Sequence, residues 1–252
     1  MSPISNPSLS ICHLYAQSMN IYGDKGNIIT LVKRCQDRQI NAKVTSIEIN
    51  QNLNPDKFDL FFAGGGQDQS QLLISKDLQV KKTSITQAID QNKVFLLICG
   101  SYQLFGHYFQ TQANQKIPGI SIFDAYTIAS SNRKIGNVTG QIIDINLSIP
   151  TLVGFENHSG NTFINPNSST KPLANILSGF GNNDRRKFEG ARYKNCFGTY
   201  LHGSLLPKNP HFADYLLKLA LKNKYQKDIS LTPLDDKVEI QAHQFILKHR
   251  NK

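Results

Sequence analysis

Acidic residues are scarce in this chain. Only 18 Asp and Glu stand against 28 Lys and Arg over 252 residues, a formal charge of +10. That imbalance favours acidic partners: nucleic acid, an anionic membrane face or an acidic protein surface. The basic residues are scattered, however. The densest stretches, Asn182–Lys194 and the end from Lys248, hold only Phe188 and Tyr193 as aromatics, too sparse a pattern for a nucleic-acid groove, so no nucleic-acid partner is expected. Cysteines are few and far apart: Cys12, Cys35, Cys99 and Cys196, with no CxxC pair. Zinc spacing is absent, and a reduced, cytoplasmic setting is expected. No apolar run approaches the roughly 18 residues of a membrane span. Met1–Ser10 holds no Lys or Arg and no apolar core, so a secretory signal is not expected. Neither GxGxxG nor GxxxxGK[ST] occurs, so the chain has no motif for cradling nucleotide phosphates. There is no internal repeat.

What is present is a globular composition, 39% hydrophobic and 18% charged, which separates it from disordered chains. The length fits one large domain, or one domain with a modest appendage. Such a chain buries roughly 70–75% of its unfolded surface and needs no disulfide or metal staple.

Strand and helix patterns alternate from the start. Leu9–Tyr15 reads as a strand. Gly26–Gln39 reads as a helix, with Ile28, Ile29, Leu31, Val32 and Cys35 at helical spacing and Asp24 placed to cap it. Ala42–Ile49 is a second strand. Asp59–Ala63 is a short apolar run ending in Gly64-Gly65-Gly66. Gln67–Ile74 and Leu78–Gln91 read as two helices, and Val94–Ile98 as the most apolar strand. It stops at Cys99-Gly100-Ser101, and Tyr102–Phe109 resumes helical. This βαβ series predicts a mostly parallel sheet flanked by helices. Ile122–Ile128, Val138–Ile145 and Thr151–Glu156 are short β-rich runs, expected as antiparallel strands added at the sheet's edge. Asn165–Pro172 and Asn182–Gly190 read as loops. Lys194–Tyr200 reads as a late strand before Leu201-His202-Gly203, and His211–Lys222 as a helix. Residues 1–225 form the expected main domain. Residues 226–252 form a C-terminal extension, with a peripheral helix over Leu234–His249.

Three constellations carry chemistry. Cys99 sits at the turn from a buried strand into a helix, at the carboxyl rim where parallel sheets bind ligands. Small neighbours permit the sharp turn of a nucleophile elbow, and a helix N-terminus favours a thiolate. Gly64-Gly65-Gly66 leaves backbone N–H groups able to converge on an oxyanion. His202, at the end of a late strand, is placed to exchange a proton with the thiol. Each also has a plain structural reading: a buried inert cysteine, a tight turn, an ordinary histidine among seven in the chain. Together, in this order, they point to cysteine-dependent acyl chemistry.

Leu97-Ile98-Cys99-Gly100-Ser101-Tyr102-Gln103-Leu104 resembles the C-G-x-x-Q elbow of class I glutamine amidotransferases, a flavodoxin-like fold. Gly154-Phe155-Glu156-Asn157-His158-Ser159-Gly160 resembles the cobyric-acid-synthase-like branch. The opening Met19–Ile28 and Gly64-Gly65-Gly66-Gln67-Asp68 resemble the glutaminase subunits of bacterial lipid II isoglutaminyl synthases. The resemblance runs from about Leu9 to about Leu221 and leaves the last thirty or so residues without a counterpart.

That resemblance implies roles. Cys99 is the nucleophile and His202 its acid/base partner. Gly65, Gly66 and Gly100 supply oxyanion amides, and Gln103 positions the glutamine. Arg133 recruits its carboxylate, for which a guanidinium fork is suited. Glu156 and His158 border the pocket. L-glutamine is the substrate, and the partner is a MurT-like synthetase of the Mur-ligase family. No cofactor is expected in this chain. ATP and Mg belong to the partner, which amidates the D-glutamate of lipid II, at the inner membrane face. Many triad-type members of the wider class carry an acidic residue two positions after the histidine. This chain has Ser204 there, a departure that the resemblance to the cobyric-acid-synthase-like branch leads one to expect, since that branch lacks the acid too. The expectation is that the partner subunit supplies that carboxylate. Two rivals remain open: a glutaminase serving a cobyrinate-type synthetase, and a non-catalytic scaffold subunit.

Overall fold

Continuous apolar runs build the central sheet. The computed structural model describes residues 6–21 and 23–249, without the side chains of Asp68 and Gln69. Tyr22, in the opening motif, lies outside the described residues. β1 (Ser8–Leu14), α1 (Lys25–Gln36), β2 (Asn41–Ile47), β3 (Leu60–Ala63), α2 (Asp68–Asp90) and β4 (Val94–Ile98) follow in order. Every residue of β3 and β4 is buried, as a strand covered on both faces demands. α3 (Gly100–Leu104), β5 (Tyr108–Gln110), β6 (Lys116–Pro118), β7 (Ala125–Ile142) and β8 (Thr151–Ile164) come next. The chain continues through β9 (Ala174–Ser178), β10 (Phe188–Glu189), β11 (Ala191–Tyr193), β12 (Cys196–Thr199), α4 (Pro210–Tyr225) and α5 (Lys237–Lys248). The first sheet has the order β11-β12-β4-β3-β1-β2 and is parallel except for its edge strand β11. The expected mostly parallel sheet is therefore present, but its antiparallel edge is β11 and not the runs over 122–156.

Three local readings differ from the structure. The two helices expected over 67–91 are one. Ser75, Lys76 and Asp77 do not break it, because Ser75 Oγ donates to the Pro118 carbonyl at 2.6 Å and Asp77 accepts from the Tyr15 hydroxyl at 2.7 Å. Buried polar groups with partners continue a helix. The helix after Cys99 is only five residues long. The carbonyl of Phe105 accepts from Ile122 and Phe123 instead, and the chain turns into β5. The short β-rich runs are not edge strands of the first sheet. They extend into β7 and β8, 18 and 14 residues long, and build a second sheet of order β10-β9-β7-β5-β6 with β8 on β7. An antiparallel bridge between Phe155 and His202 joins β8 to the first sheet's rim.

The C-terminal segment is anchored rather than peripheral. The buried Arg34 guanidinium donates to Asp214 at 2.7 Å and, as a fork, to both oxygens of Asp236 at 2.6 and 2.9 Å. His243, buried in α5, bonds the Thr151 hydroxyl and the Lys208 carbonyl, each at 2.8 Å. α5 thereby braces the turn that follows His202.

Candidate active site

Cys99 lies just past β4 with φ +50° and ψ −105°. A non-glycine residue holds that conformation only when its surroundings fix it. Here its N–H donates to Thr199 at 2.8 Å and its carbonyl accepts from Gln103 at 2.9 Å. The elbow is pressed against the glycine turn after β3. A Cβ on Gly100 would stand 2.9 Å from Gln71 Nε2 and 3.2 Å from the Gly66 nitrogen. Glycine at 100 lets the elbow sit close against the turn that carries the Gly66 amide.

β12 runs parallel to β4, with Thr199 opposite Ile98, so His202 comes to the same rim as Cys99. The Gly154-Phe155-Glu156 strand holds it there. His202 N–H donates to the Phe155 carbonyl at 2.7 Å. Its ring is fully buried, and Nδ1 lies 3.2 Å from Asp24 Oδ1. Burial pulls the imidazole down, but Cys99 and the hydrogen-bonded Asp24 outweigh it and push His202 up to about 10. Asp24 does not cap α1; no side-chain cap bond is made there. Its other oxygen accepts the Gly65 N–H at 2.7 Å. The carboxylate expected from a partner subunit is therefore already present in this chain, 178 residues away in sequence.

A cleft of about 620 Å³ opens over Cys99. Gly66, Gln71, Gln103, Arg133, Asn157 and His158 are among its walls. Arg133 reaches the mouth because the β7–β8 register slips between Ala129 and Lys134, and this bulge pushes the residues between them outward. Asn157 Oδ1 accepts from Arg133 Nε at 2.6 Å and steadies the guanidinium. Gln103 Nε2 donates to the Tyr200 hydroxyl at 3.1 Å, and that hydroxyl bonds Thr162 at 2.6 Å. His158 stacks on Tyr200 with ring centroids 3.7 Å apart. Burial holds its pKa below the ordinary value, against the opposing pull of Glu156.

The structure brings together Cys99, His202, Gly66, Gly100, Gln103, Arg133 and His158; Gly65 lies beside them, but its N–H is taken by Asp24 and so is not an oxyanion amide. Glu156 stands behind the cleft wall. It is fully buried, lies 3.4 Å from His158 Nε2 without lining the cleft itself, and accepts the N–H groups of Phe180 and Gly181 at 2.7 and 2.9 Å. A buried carboxylate so bonded anchors a turn. Sequence reasoning missed Gln71, Asn157 and Glu189, and gave Asp24 another task. Glu189 accepts from the Thr199 hydroxyl at 2.5 Å and the Tyr200 N–H at 2.8 Å. Asn157 alone had a signal, being inside the motif already singled out.

A cysteine elbow, a glycine turn and a late-strand histidine thus meet on one rim of an α/β sheet. The chain belongs to the CobB/CobQ-like glutamine amidotransferase domain family, whose model matches residues 10–210. It is 39% identical to a Staphylococcus aureus protein, the GatD subunit of lipid II isoglutaminyl synthase (glutamine-hydrolyzing), over 97% of each chain. The corresponding Streptococcus pneumoniae subunit is 38% identical over 90% of this chain and 86% of its own. The first of these matches takes in the C-terminal segment as well, so that segment does have a counterpart. A glutamine amidotransferase from Thermotoga maritima shares the fold, with a TM-score of 0.53, 11% identity and coverage of 94% and 93% of the two chains. No helix among the described residues is long and apolar enough to cross a membrane.

Proposed function

We propose that this chain is the glutaminase subunit of a lipid II isoglutaminyl synthase and passes ammonia to a MurT-like, ATP-dependent synthetase. The observation that carries this is the end-to-end match to the GatD subunit: 39% identity over 97% of both chains. The mechanism follows from the site. Cys99 thiolate attacks the side-chain carboxamide carbon of L-glutamine, held at its α-carboxylate by Arg133. The amides of Gly66 and Gly100 receive the oxyanion. His202 imidazolium gives its proton to the nitrogen, the C–N bond breaks, and ammonia leaves a γ-glutamyl thioester. His202 then takes a proton from water, which attacks the thioester. Glutamate leaves and the thiolate returns. Ammonia goes to the synthetase, where ATP and Mg activate the D-glutamate carboxylate of lipid II.

The test is glutamate release from L-glutamine, and amidation of lipid II with ATP, by the chain alone and with its synthetase. Wild type and Cys99→Ala are compared. Release that depends on Cys99, with lipid II amidation only in the mixture, is expected. No release in either mixture overturns the reading in favour of a scaffold subunit.

A further inference from the structure

We propose that Asp24 is a positioning residue of the glutaminase reaction, setting the base and the oxyanion turn together with the two oxygens of one carboxylate. The inference rests on the glutamine-hydrolysing reading of the site. Asp24 is fully buried. Oδ1 lies 3.2 Å from His202 Nδ1, and Oδ2 accepts the Gly65 N–H at 2.7 Å. A buried carboxylate is costly unless paired and hydrogen-bonded, and these two contacts are what compensate it. Accepting the Nδ1 proton fixes the tautomer, so Nε2 is the nitrogen left to exchange a proton with Cys99. Accepting the Gly65 N–H fixes the turn whose next amide, Gly66, lies beside the elbow.

The loop that carries Asp24 is tied to both structures it serves. Ile21 N–H donates to the Gly65 carbonyl at 3.3 Å. Ser204 Oγ donates to the Gly23 carbonyl at 2.5 Å, and the Leu206 N–H to Asn27 Oδ1 at 2.8 Å. Ser204 thus occupies the position where the wider class carries its acid, and uses it to hold the loop that delivers the acid from elsewhere. Other charged or titratable groups near Asp24 and His202 include Cys99, His13, Lys25 and Lys208, whose ammonium donates to the Gly203 carbonyl at 2.6 Å.

The experiment is steady-state glutamate release by the full chain, alone and with its synthetase, for wild type, Asp24→Asn and Asp24→Ala. In Asp24→Asn the amide keeps the shape, but its NH₂ disfavours the working tautomer. Its kcat should fall roughly 10²–10⁴-fold, with KM within about threefold. The alkaline limb of the kcat profile should move to lower pH, because the imidazolium loses its anionic support. Asp24→Ala should lose at least as much. A folded Asp24→Asn enzyme with unchanged kcat and alkaline limb overturns the proposal. So does a loss confined to KM, or a loss fully recovered on binding the synthetase. Nitrogen-detected NMR of the wild-type histidines keeps the test open if both variants unfold. A strongly hydrogen-bonded His202 Nδ1 proton is expected, and an unprotonated Nδ1 in the resting enzyme overturns the assignment. Wild type without activity in any mixture would sink the glutaminase reading itself, an outcome distinct from these.

Discussion

Adding one methyl group at Gly65 tests how tightly the base and the oxyanion turn are packed. Gly65 does not have a left-handed φ, so alanine is compatible with its backbone. The added Cβ would stand 2.6 Å from His202 Cε1 and 3.3 Å from Asp24 Oδ2. Carbon atoms rest at about 3.5–4.0 Å, so the imidazole must retreat by about 1 Å. It has little room. The ring is fully buried, its backbone is bridged to Phe155, and Nδ1 is held by Asp24. A misplacement of about 1 Å costs on the order of 10²-fold in rate, and overpacking costs about 1–3 kcal/mol of stability. Gly65→Ala should therefore lower kcat for glutamine hydrolysis roughly 100-fold while leaving KM near wild type. Steady-state kinetics with a thermal melt decides the matter. A folded Gly65→Ala enzyme with wild-type kcat refutes the reasoning.

Other expectations follow from the same geometry. Arg133→Lys should raise KM for glutamine roughly 10–100-fold with kcat little changed, since a point charge replaces a fork gripping a carboxylate; a kcat loss at constant KM would refute this. Burial pulls His13 and His211 down to about 4, below the ordinary 6.5. Between those values the unfolded chain binds protons first, so these groups contribute stability above pH 6.5 that is lost as pH falls to 4, up to about 3 kcal/mol each. Replacing His211 with Gln should flatten part of that acid slope in urea melts, and an unchanged slope would count against the assignment. Glu189 runs the other way. Burial raises its carboxyl to about 7 from 4.5, so the folded state keeps its proton longer and stability falls as pH rises through that window. Glu189→Gln should be near neutral at pH 4.5 and more stable than wild type at pH 8 by up to about 3 kcal/mol; equal destabilisation at both would refute it.

Much of the fold was legible because its signals are local. The apolar runs at Asp59–Ala63 and Val94–Ile98, each followed by small residues, could only be buried strands ending in turns at one rim. Cys99, the glycine turn and His202 were therefore placeable from their positions relative to strands. The errors arose where a local pattern met a distant partner. Ser75-Lys76-Asp77 reads as a break until Pro118 and Tyr15 receive it. The β-rich runs after 122 read as short until β7 and β8 pair over their length. The C-terminal helix reads as peripheral until Arg34 and His243 find their partners.

The sequence by itself determined the parallel core and the placing of Cys99 and His202 at its rim, because strand burial and turn chemistry depend on neighbours in the chain. It also carried the family motifs. Only the tertiary structure decided which carboxylate faces His202. Asp24 has the position of a helix cap, and nothing in its flanking residues shows its side chain turning away from α1. That choice depends on β1, β3 and β12 converging at one rim, where a buried imidazole and the Gly65 amide together offer the carboxylate more than the helix end does.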